Sequence, residues 1–562
     1  MRRFLNEAGV FDPSNVLHYI AEISQFHRIQ GSKELPEAVR FIREELRICG
    51  INAELYEEFY DGKRWFLTLK SPIAWDLVHG RVEVLEKTLT TSQSPLVVMA
   101  HSPSGNAEGE VVHIASEKDW ENAEGKIVLV GKEWRDAYRK ANETGALGFI
   151  AYREGTGDAI PYIGLFLSED DLEWAKIPAV AVPESLAKGI VGKLNSGERV
   201  EARIEVETQI NERQVLPILY AEIGREPFLL FTAHICHPRP GANDNASGSA
   251  MLMELARVLG RLYDESFRFG FAFLWIPEYY GTQAFVENYA GLDRYYAVIN
   301  LDMVAGSEDR AGSTIMLVRT PLSRFSVVSG LLEYFLGLAN REGKSFSGSP
   351  IPRLKLKSYP YEMGSDHDVF NFFGVPSVMP ITWPDRFYHS SEDTVEKVSK
   401  TTVEVIGRAV LATALALAKA ETEELQRFAR GYAMKYLGEL SLERDTEHAE
   451  KLVMMGLARD SHFLGIESGH PFERRPWMRW VRKGQISGAL IRSIDEKAYE
   501  EFRELTKDRR TLVHLHELLM LGELLPRDDA MRALKEEFGE VEEEKLEKLL
   551  TLLERLGVIE RL

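Results

Sequence analysis

The sequence predicts an α/β fold built on a mostly parallel, mixed sheet flanked by helices. Three observations predict it. Between residues 207 and 420, short apolar runs bounded by turns alternate with longer helical patterns, the signature of strand and helix units layered on one another. Four of the runs, 228–233 (FLLFTA), 271–276 (FAFLWI), 296–301 (YAVINL) and 376–381 (PSVMPI), read as buried strands. Each runs directly or through a short loop into a polar residue: His234, Glu278, Asp302 and His389. In an open α/β sheet, ligands bind outside the carboxyl ends of the strands.

In chain order, residues 14–60 read as helix, loop, helix and strand. The second helix, 35–49, carries Val39, Ile42, Leu46 and Ile48 and stops at Gly50. Residues 61–92 are strand-like and complete, with 207–420, one catalytic-type domain (1–92 and 207–420). Residues 93–206 read as a separate small α/β module. Its strands are expected at 125–130, 145–152 and 177–182 and its helices at 134–143 and 183–194. It holds no cluster of metal-ligating side chains, so a gating or packing role without chemistry is expected. Apolar helices are expected over 246–262 and 402–420. Residues 421–507 form a charged, helical linker region, and 508–562 resemble a winged-helix-like bundle. The Glu-rich stretch 536–544 opposes DNA binding, which makes that end a docking or packing domain.

At 562 residues the chain exceeds one hydrophobic core and predicts three or four domains. A net charge of −19 argues against nucleic acid, whose phosphates are held by Lys and Arg. Two cysteines, Cys49 and Cys236, exclude a disulfide framework. The start lacks the apolar core of a signal peptide, and no long uncharged run suits a bilayer. A cytoplasmic protein without membrane partners is expected. Sparse Gln beside plentiful Glu, Lys and Arg hints at a thermophilic source. Homo-oligomerisation is left open.

His234, Asp244, Glu278, Asp302 and His389 supply two imidazoles and three carboxylates, the donor types that divalent zinc prefers. In the loop 234–248 (HICHPRPGANDNASG), Asp244 follows His234 by ten residues and precedes the 246–262 helix. There its carboxylate can bridge two cations acting on one water. An Asp at that place is also an ordinary N-cap, but the flanking histidine favours ligation. Asp302 would be an uncompensated buried charge without a cation. Asp393, four residues after His389, is expected to accept from that ring's second nitrogen. Gly364, Ser365, Asp366 and His367 are expected to face the cleft mouth and shape it, with ligation by Asp366 the lesser reading. A metal-dependent hydrolase is expected.

The order HxxH…GANDNASG, PE…GT, INLDM, GSDHxxF…GVPSVM and YHSSEDT resembles the co-catalytic dizinc aminopeptidase family, which includes bacterial leucyl aminopeptidases, glutamate carboxypeptidase and the inactive transferrin-receptor ectodomain. The resemblance covers residues 14–60 and 207–420 and implies a zinc exopeptidase fold. Residues 93–206 look like the protease-associated domain often inserted in such enzymes. It further implies two zinc ions, one held by His234, Asp244 and a glutamate, the other by Asp244, Asp302 and His389. A second glutamate would serve as general base.

Two departures matter. The family has His-x-Asp where this chain has Cys236, and a thiol orients an imidazole weakly. The family has two adjacent glutamates where this chain reads Pro277-Glu278-Tyr279. If Glu278 is the base, His237 is needed to complete a metal site; if it is a ligand, Glu362 is the substitute base. Cys236 and His237 are the additional ligand candidates, and Tyr359 or Tyr361 the candidate oxyanion donors. The leading expectation is a zinc aminopeptidase acting on peptides. The alternatives are a single-zinc amidohydrolase of glutaminyl-cyclase type and a non-catalytic scaffold. The basic, aromatic stretch 472–483 is expected to pair with carboxylates, or else to border the cleft.

Overall fold

A computed structural model describes residues 1–467 and 473–562. The larger body is a mixed eight-stranded sheet in the order Ala53–Tyr60, Gln214–Ile223, Gly270–Ile276, Phe228–His234, Tyr295–Asn300, Ser377–Trp383, Thr314–Val318 and Leu356–Tyr359. Its centre is parallel: Phe228–His234 pairs on both sides in parallel, and Tyr295–Asn300 pairs in parallel with Ser377–Trp383. The central strands are buried along their whole length, which explains their near-continuous apolar sequence.

Register sets the site. His234 lies opposite Ile276, so Pro277 and Glu278 leave the sheet level with it. Thr232 lies opposite Asn300, which brings Asp302 to the same height as His234. The helices Gly248–Leu262 and Lys400–Lys419 pack on this body. The latter is the one helix, among the described residues, long and apolar enough to cross a membrane, contrary to the expectation that none qualifies. It is 20 residues long, and 83% of its most apolar stretch is buried inside the protein.

The second body is a seven-stranded sheet with its own core, ordered Lys87–Thr90, Ala74–Val84, Glu201–Asn211, Gly105–Ile114, Ile127–Val130, Gly148–Ala151 and Ala179–Ala181. Its helices Trp134–Glu143 and Glu184–Asn195 fall where the sequence puts them. The boundary does not. Ala74–Val84 and Lys87–Thr90, expected in the catalytic-type domain, pair antiparallel along the edge of this sheet. Local pattern could not assign them, because a strand's partner is a non-local choice.

The C-terminal region adds the helices Arg509–Gly522, Arg527–Phe538 and Glu543–Arg555, and a ribbon in which Ile559–Arg561 pairs with Met478–Trp480. In the stretch 472–483, Phe472 lies outside the described residues. Arg475 pairs with Glu473, Arg479 with Glu560 and Lys483 with Glu523. Three of its cations are thus paired, and none of its described residues lines the cleft, whose wall begins at Gln485.

Two of the glutamates expected on the acidic surface are instead buried. Glu536 accepts from His448 Nδ1 at 2.8 Å and from the Ala449 N–H at 2.6 Å. Glu537 accepts from the Leu322 N–H at 3.1 Å and faces Glu517, which accepts from Ser323 through its N–H (2.8 Å) and Oγ (2.7 Å). Burial pushes Glu517 up to about 7 and Glu537 well above the carboxylate range. A carboxyl raised on folding stabilises while protonated. The contribution is complete below the unfolded-state value and fades as pH rises through about 7. Docking of the C-terminal helices is therefore expected to weaken by on the order of 1–3 kcal/mol from pH 6 to 8.5. Hydrogen exchange in Arg509–Gly522 reads it. Glu537→Gln, which mimics the protonated carboxyl, should flatten the dependence; an unchanged slope would refute the shared-proton pair.

Candidate metal centre

The loop after Phe228–His234 is built by three devices. Arg28, fully buried, donates to the carbonyls of Ile235 (2.8 Å) and Gly241 (3.1 Å), and its own carbonyl accepts the His237 N–H at 2.9 Å. Gly241 has φ +50°, and a Cβ there would sit 2.6 Å from the Asp244 carbonyl, so only glycine turns the chain back here. Asn243 and Asn245 clamp the next strand end: Asn243 Oδ1 accepts from the Ala305 N–H (3.0 Å), Asn245 Oδ1 accepts from the Met303 N–H (3.1 Å), and Asn245 Nδ2 donates to the Leu301 carbonyl (2.9 Å). These bonds hold Asp302 beside Asp244. The helix expected from 246 begins at Gly248, because Asp244 and Asn245 have non-helical dihedrals.

Two triads of donor atoms result, and they share one residue. His234, Asp244 and Asp302 form the first; His237, Asp244 and His389 form the second. His234 Nε2 lies 3.4 Å from Asp244 Oδ1 and 3.3 Å from Asp302 Oδ1. His237 Nδ1 lies 3.4 Å from Asp244 Oδ1, and His389 Nε2 lies 3.1 Å from Asp244 Oδ2. This corrects the expected grouping: Asp302 stands with His234, and His389 stands with His237. Glu278 belongs to neither triad. It is only partly buried and borders both cavities that open on the cluster.

The orientation problem posed by Cys236 is solved by its backbone. His234 Nδ1 is 3.0 Å from the Cys236 carbonyl, whereas Sγ is 3.9 Å away. The thiol accepts from the Glu278 N–H at 3.1 Å and is outside both triads. Asp393 does not reach His389. Its carboxylate accepts from the N–H groups of Asn243 (2.8 Å) and Asp244 (3.0 Å), so it fixes the shared residue instead. Burial, opposed by those two N–H groups, pushes Asp393 up to about 8.

Of the expected cleft-mouth residues, Gly364 lines the cavity at the cluster and the others are scaffold. Ser365, Asp366, His367 and Asp368 are fully buried. Asp366 Oδ1 accepts from the Tyr279 N–H at 2.8 Å and from Thr282 Oγ1, pinning the turn that carries Glu278. Asp368 accepts from the hydroxyls of Tyr279 (2.6 Å) and Tyr361 (2.7 Å). Tyr361 is thereby buried away from the cluster, which ends its candidacy as an oxyanion donor. Tyr359 and Glu362 line a cavity of about 600 Å³ that also includes Met303, Met316 and Trp383.

The electrostatics call for a cation. Burial would lower His234, but Asp302, Glu278 and Asp244 outweigh it and raise the imidazole well above its ordinary range. Burial would raise Asp244, but His237, His234 and His389 hold it well below. Burial keeps His237 neutral, the form that ligates. Burial, with Asp302, Asp366 and Asp244 behind it, raises Glu278 well above the carboxylate range against the pull of His234. Asp302 Oδ1 is buried and meets His234 Nε2 at 3.3 Å without a well-formed hydrogen bond. A buried carboxylate oxygen left so weakly compensated is costly, and the donor set fits divalent zinc.

Residues 219–414 match the model of peptidase family M28. The matched segment holds all five side chains of the two triads: His234, His237, Asp244, Asp302 and His389. Aminopeptidase YwaD of Bacillus subtilis (strain 168) is 25% identical to this chain over 366 residues, which cover 60% of this chain and 74% of YwaD. The solved structure of BSAP, a zinc aminopeptidase from Bacillus subtilis, shares the fold with a TM-score of 0.53 at 18% identity, covering 73% of this chain and 96% of that one. A peptidase M28 precursor from Shewanella amazonensis SB2B shares it with a TM-score of 0.54 at 17% identity, covering 74% and 95%.

The larger body does not build its site alone. Residues 160–162 of the second body run against the His389 loop, where the Tyr162 N–H donates to the His389 carbonyl at 2.7 Å and Pro161 bridges Ser390. The Tyr162 ring lies 5.1 Å from His237 and 5.2 Å from His389. Arg153 Nη2 holds the Tyr162 carbonyl at 3.0 Å. A module expected to gate or pack without chemistry of its own thus buttresses the donor cluster. Arg28, Tyr162 and Arg153 have no local sequence signal, since each meets the metal-site loops far away in the chain: Arg28 at Ile235, Tyr162 at His237 and His389, and Arg153 at the Tyr388 and His389 carbonyls.

Proposed function

We propose that the chain is a metal-dependent aminopeptidase that hydrolyses N-terminal peptide bonds at a two-metal centre bridged by Asp244. The observation that carries this is the pair of donor triads sharing that carboxylate, with Glu278 outside both. On this reading His234, Asp244 and Asp302 hold one ion, and Asp244, His237 and His389 the other. His237 then replaces the glutamate ligand absent from Pro277-Glu278-Tyr279. Two divalent ions so placed supply Lewis acidity and an acidified water.

The chain's own residues do the rest. Glu278 takes a proton on its carboxylate from the attacking water and returns it to the leaving amine, work that contributes roughly 10²–10⁴ in rate. Its turn is held by Asp366 and by Cys236 Sγ. Asp302 and Glu362, in the cavity with Met303, Met316 and Trp383, suit a protonated α-amine on an apolar residue. The second body is read as a protease-associated-like module and residues 508–562 as a winged-helix-like docking end. Both readings rest on the elements described above.

Purified protein loaded with zinc is expected to hydrolyse leucyl-p-nitroanilide and to ignore its N-acetyl form. Chelation should abolish turnover, and added zinc should restore it. Equal rates on the acetylated anilide would replace the aminopeptidase reading by a general amidohydrolase. A fully loaded protein inert to both would return the scaffold reading.

A further inference from the structure

A second cavity, of about 700 Å³, opens on the other side of the cluster. The two cavities share only Glu278 and His389 among their lining residues. Resting on the aminopeptidase reading, a peptide bond held between those two residues places one substituent in each cavity. The acidic, apolar cavity receives the N-terminal residue, so the leaving segment lies in the second. We infer that Arg135, on the second body's helix Trp134–Glu143, binds the C-terminal carboxylate of that segment. The preferred substrates are then di- and tripeptides with a free C-terminus.

Four guanidinium groups line this cavity, and three are already engaged. Arg28 donates to backbone carbonyls, and Arg153 donates to those of Tyr162, Tyr388 and His389. Arg492 pairs with Asp136 at 2.8 Å. The remaining nearby acid, Glu133, pairs with Arg503 at 2.9 Å. Among the described residues, Arg135 alone of the four has neither a carboxylate partner nor a short hydrogen bond. Its side chain is exposed to the cavity, lies 4.9 Å above the Phe166 ring, and makes one long bond, 3.4 Å, to the Gly164 carbonyl. A planar guanidinium centred over an aromatic ring with free N–H edges is suited to a bidentate carboxylate.

The distance is right for a short leaving segment. Gly164 is two residues from Tyr162, whose ring touches both His237 and His389. Two residues of extended chain span at most roughly 7 Å. A carboxylate one or two residues beyond the cut therefore comes within reach of Arg135. The far wall is formed by residues 485–489 of the C-terminal region. The Arg492–Asp136 and Arg503–Glu133 pairs tie that wall to the helix carrying Arg135.

The test compares kcat/KM for Leu-Gly-Gly and Leu-Gly-Gly-amide in the full-length, zinc-loaded protein and in Arg135→Gln. The parent should favour the free acid about tenfold or more, and the variant should lose that preference through a slower acid while the amide stays within about twofold. Equal parent rates on acid and amide, or a preference that survives in the variant, would overturn the assignment. If neither peptide is cleaved, the aminopeptidase reading fails separately, and calorimetric binding of the same two peptides decides the subsite. Loss of acid affinity alone in Arg135→Gln supports it; equal acid affinity in both proteins rejects it.

Discussion

Asp244→Ala is expected to lose both metal ions, and peptidase activity should fall to background. Asp244 is the only donor common to the two triads, so its removal leaves each ion with two protein ligands where catalytic zinc ordinarily has three. The loop itself should survive the change. The Asp244 N–H still donates to Asp393, and the asparagine clamps to Leu301, Met303 and Ala305 are untouched. Single replacements elsewhere should be asymmetric. His234→Ala or Asp302→Ala should empty mainly one site, and His237→Ala or His389→Ala mainly the other. Metal analysis of the folded variants reads this directly. Full occupancy in Asp244→Ala would sink the bridge, and full occupancy in His237→Ala would remove His237 from the ligand set.

The second large effect is expected from Glu278→Gln, which should lower kcat by roughly 10²–10⁴ while metal content stays at the parent's level. The amide cannot accept a proton, and the carboxylate it replaces lies outside both triads. The turn should hold its shape, because Asp366 and Cys236 grip it through the backbone N–H groups of Tyr279 and Glu278. If one equivalent of metal were lost and excess zinc restored activity, Glu278 would be a ligand. Near-normal turnover would leave Glu362, which lines the same cavity, as the base to test.

How much of this was legible in the sequence follows from the range of the interactions. The four buried strands and the polar residues at their ends are local patterns: an apolar run of fixed period, then a residue type that is expensive to bury alone. His234, Glu278, Asp302 and His389 could be named on that basis, Asp244 from its place between His234 and the next helix, and the helix Trp134–Glu143 placed to the residue. Which donors share an ion was not legible. Parallel register puts Asp302 level with His234, and the Arg28-pinned loop swings His237 to Asp244 and His389. Asp393 looked like a partner for the histidine four residues before it, yet it holds the backbone at Asn243 and Asp244, about 150 positions earlier. The strands Ala74–Val84 and Lys87–Thr90 read as part of one body and pair with another for the same reason. Tyr162 and Arg135 carry no motif and matter only because the second body lies against the His389 loop. The sequence by itself determined most element types and pointed to His234, Asp244, Asp302 and His389, since those depend on neighbours along the chain; it also counted Glu278 among the donors, which stands outside both triads, and gave His237 only as an additional candidate. Ligand grouping and the two-sided cleft were decided only by the tertiary structure, because both depend on groups far apart in the chain that strand pairing and buried hydrogen bonds bring together.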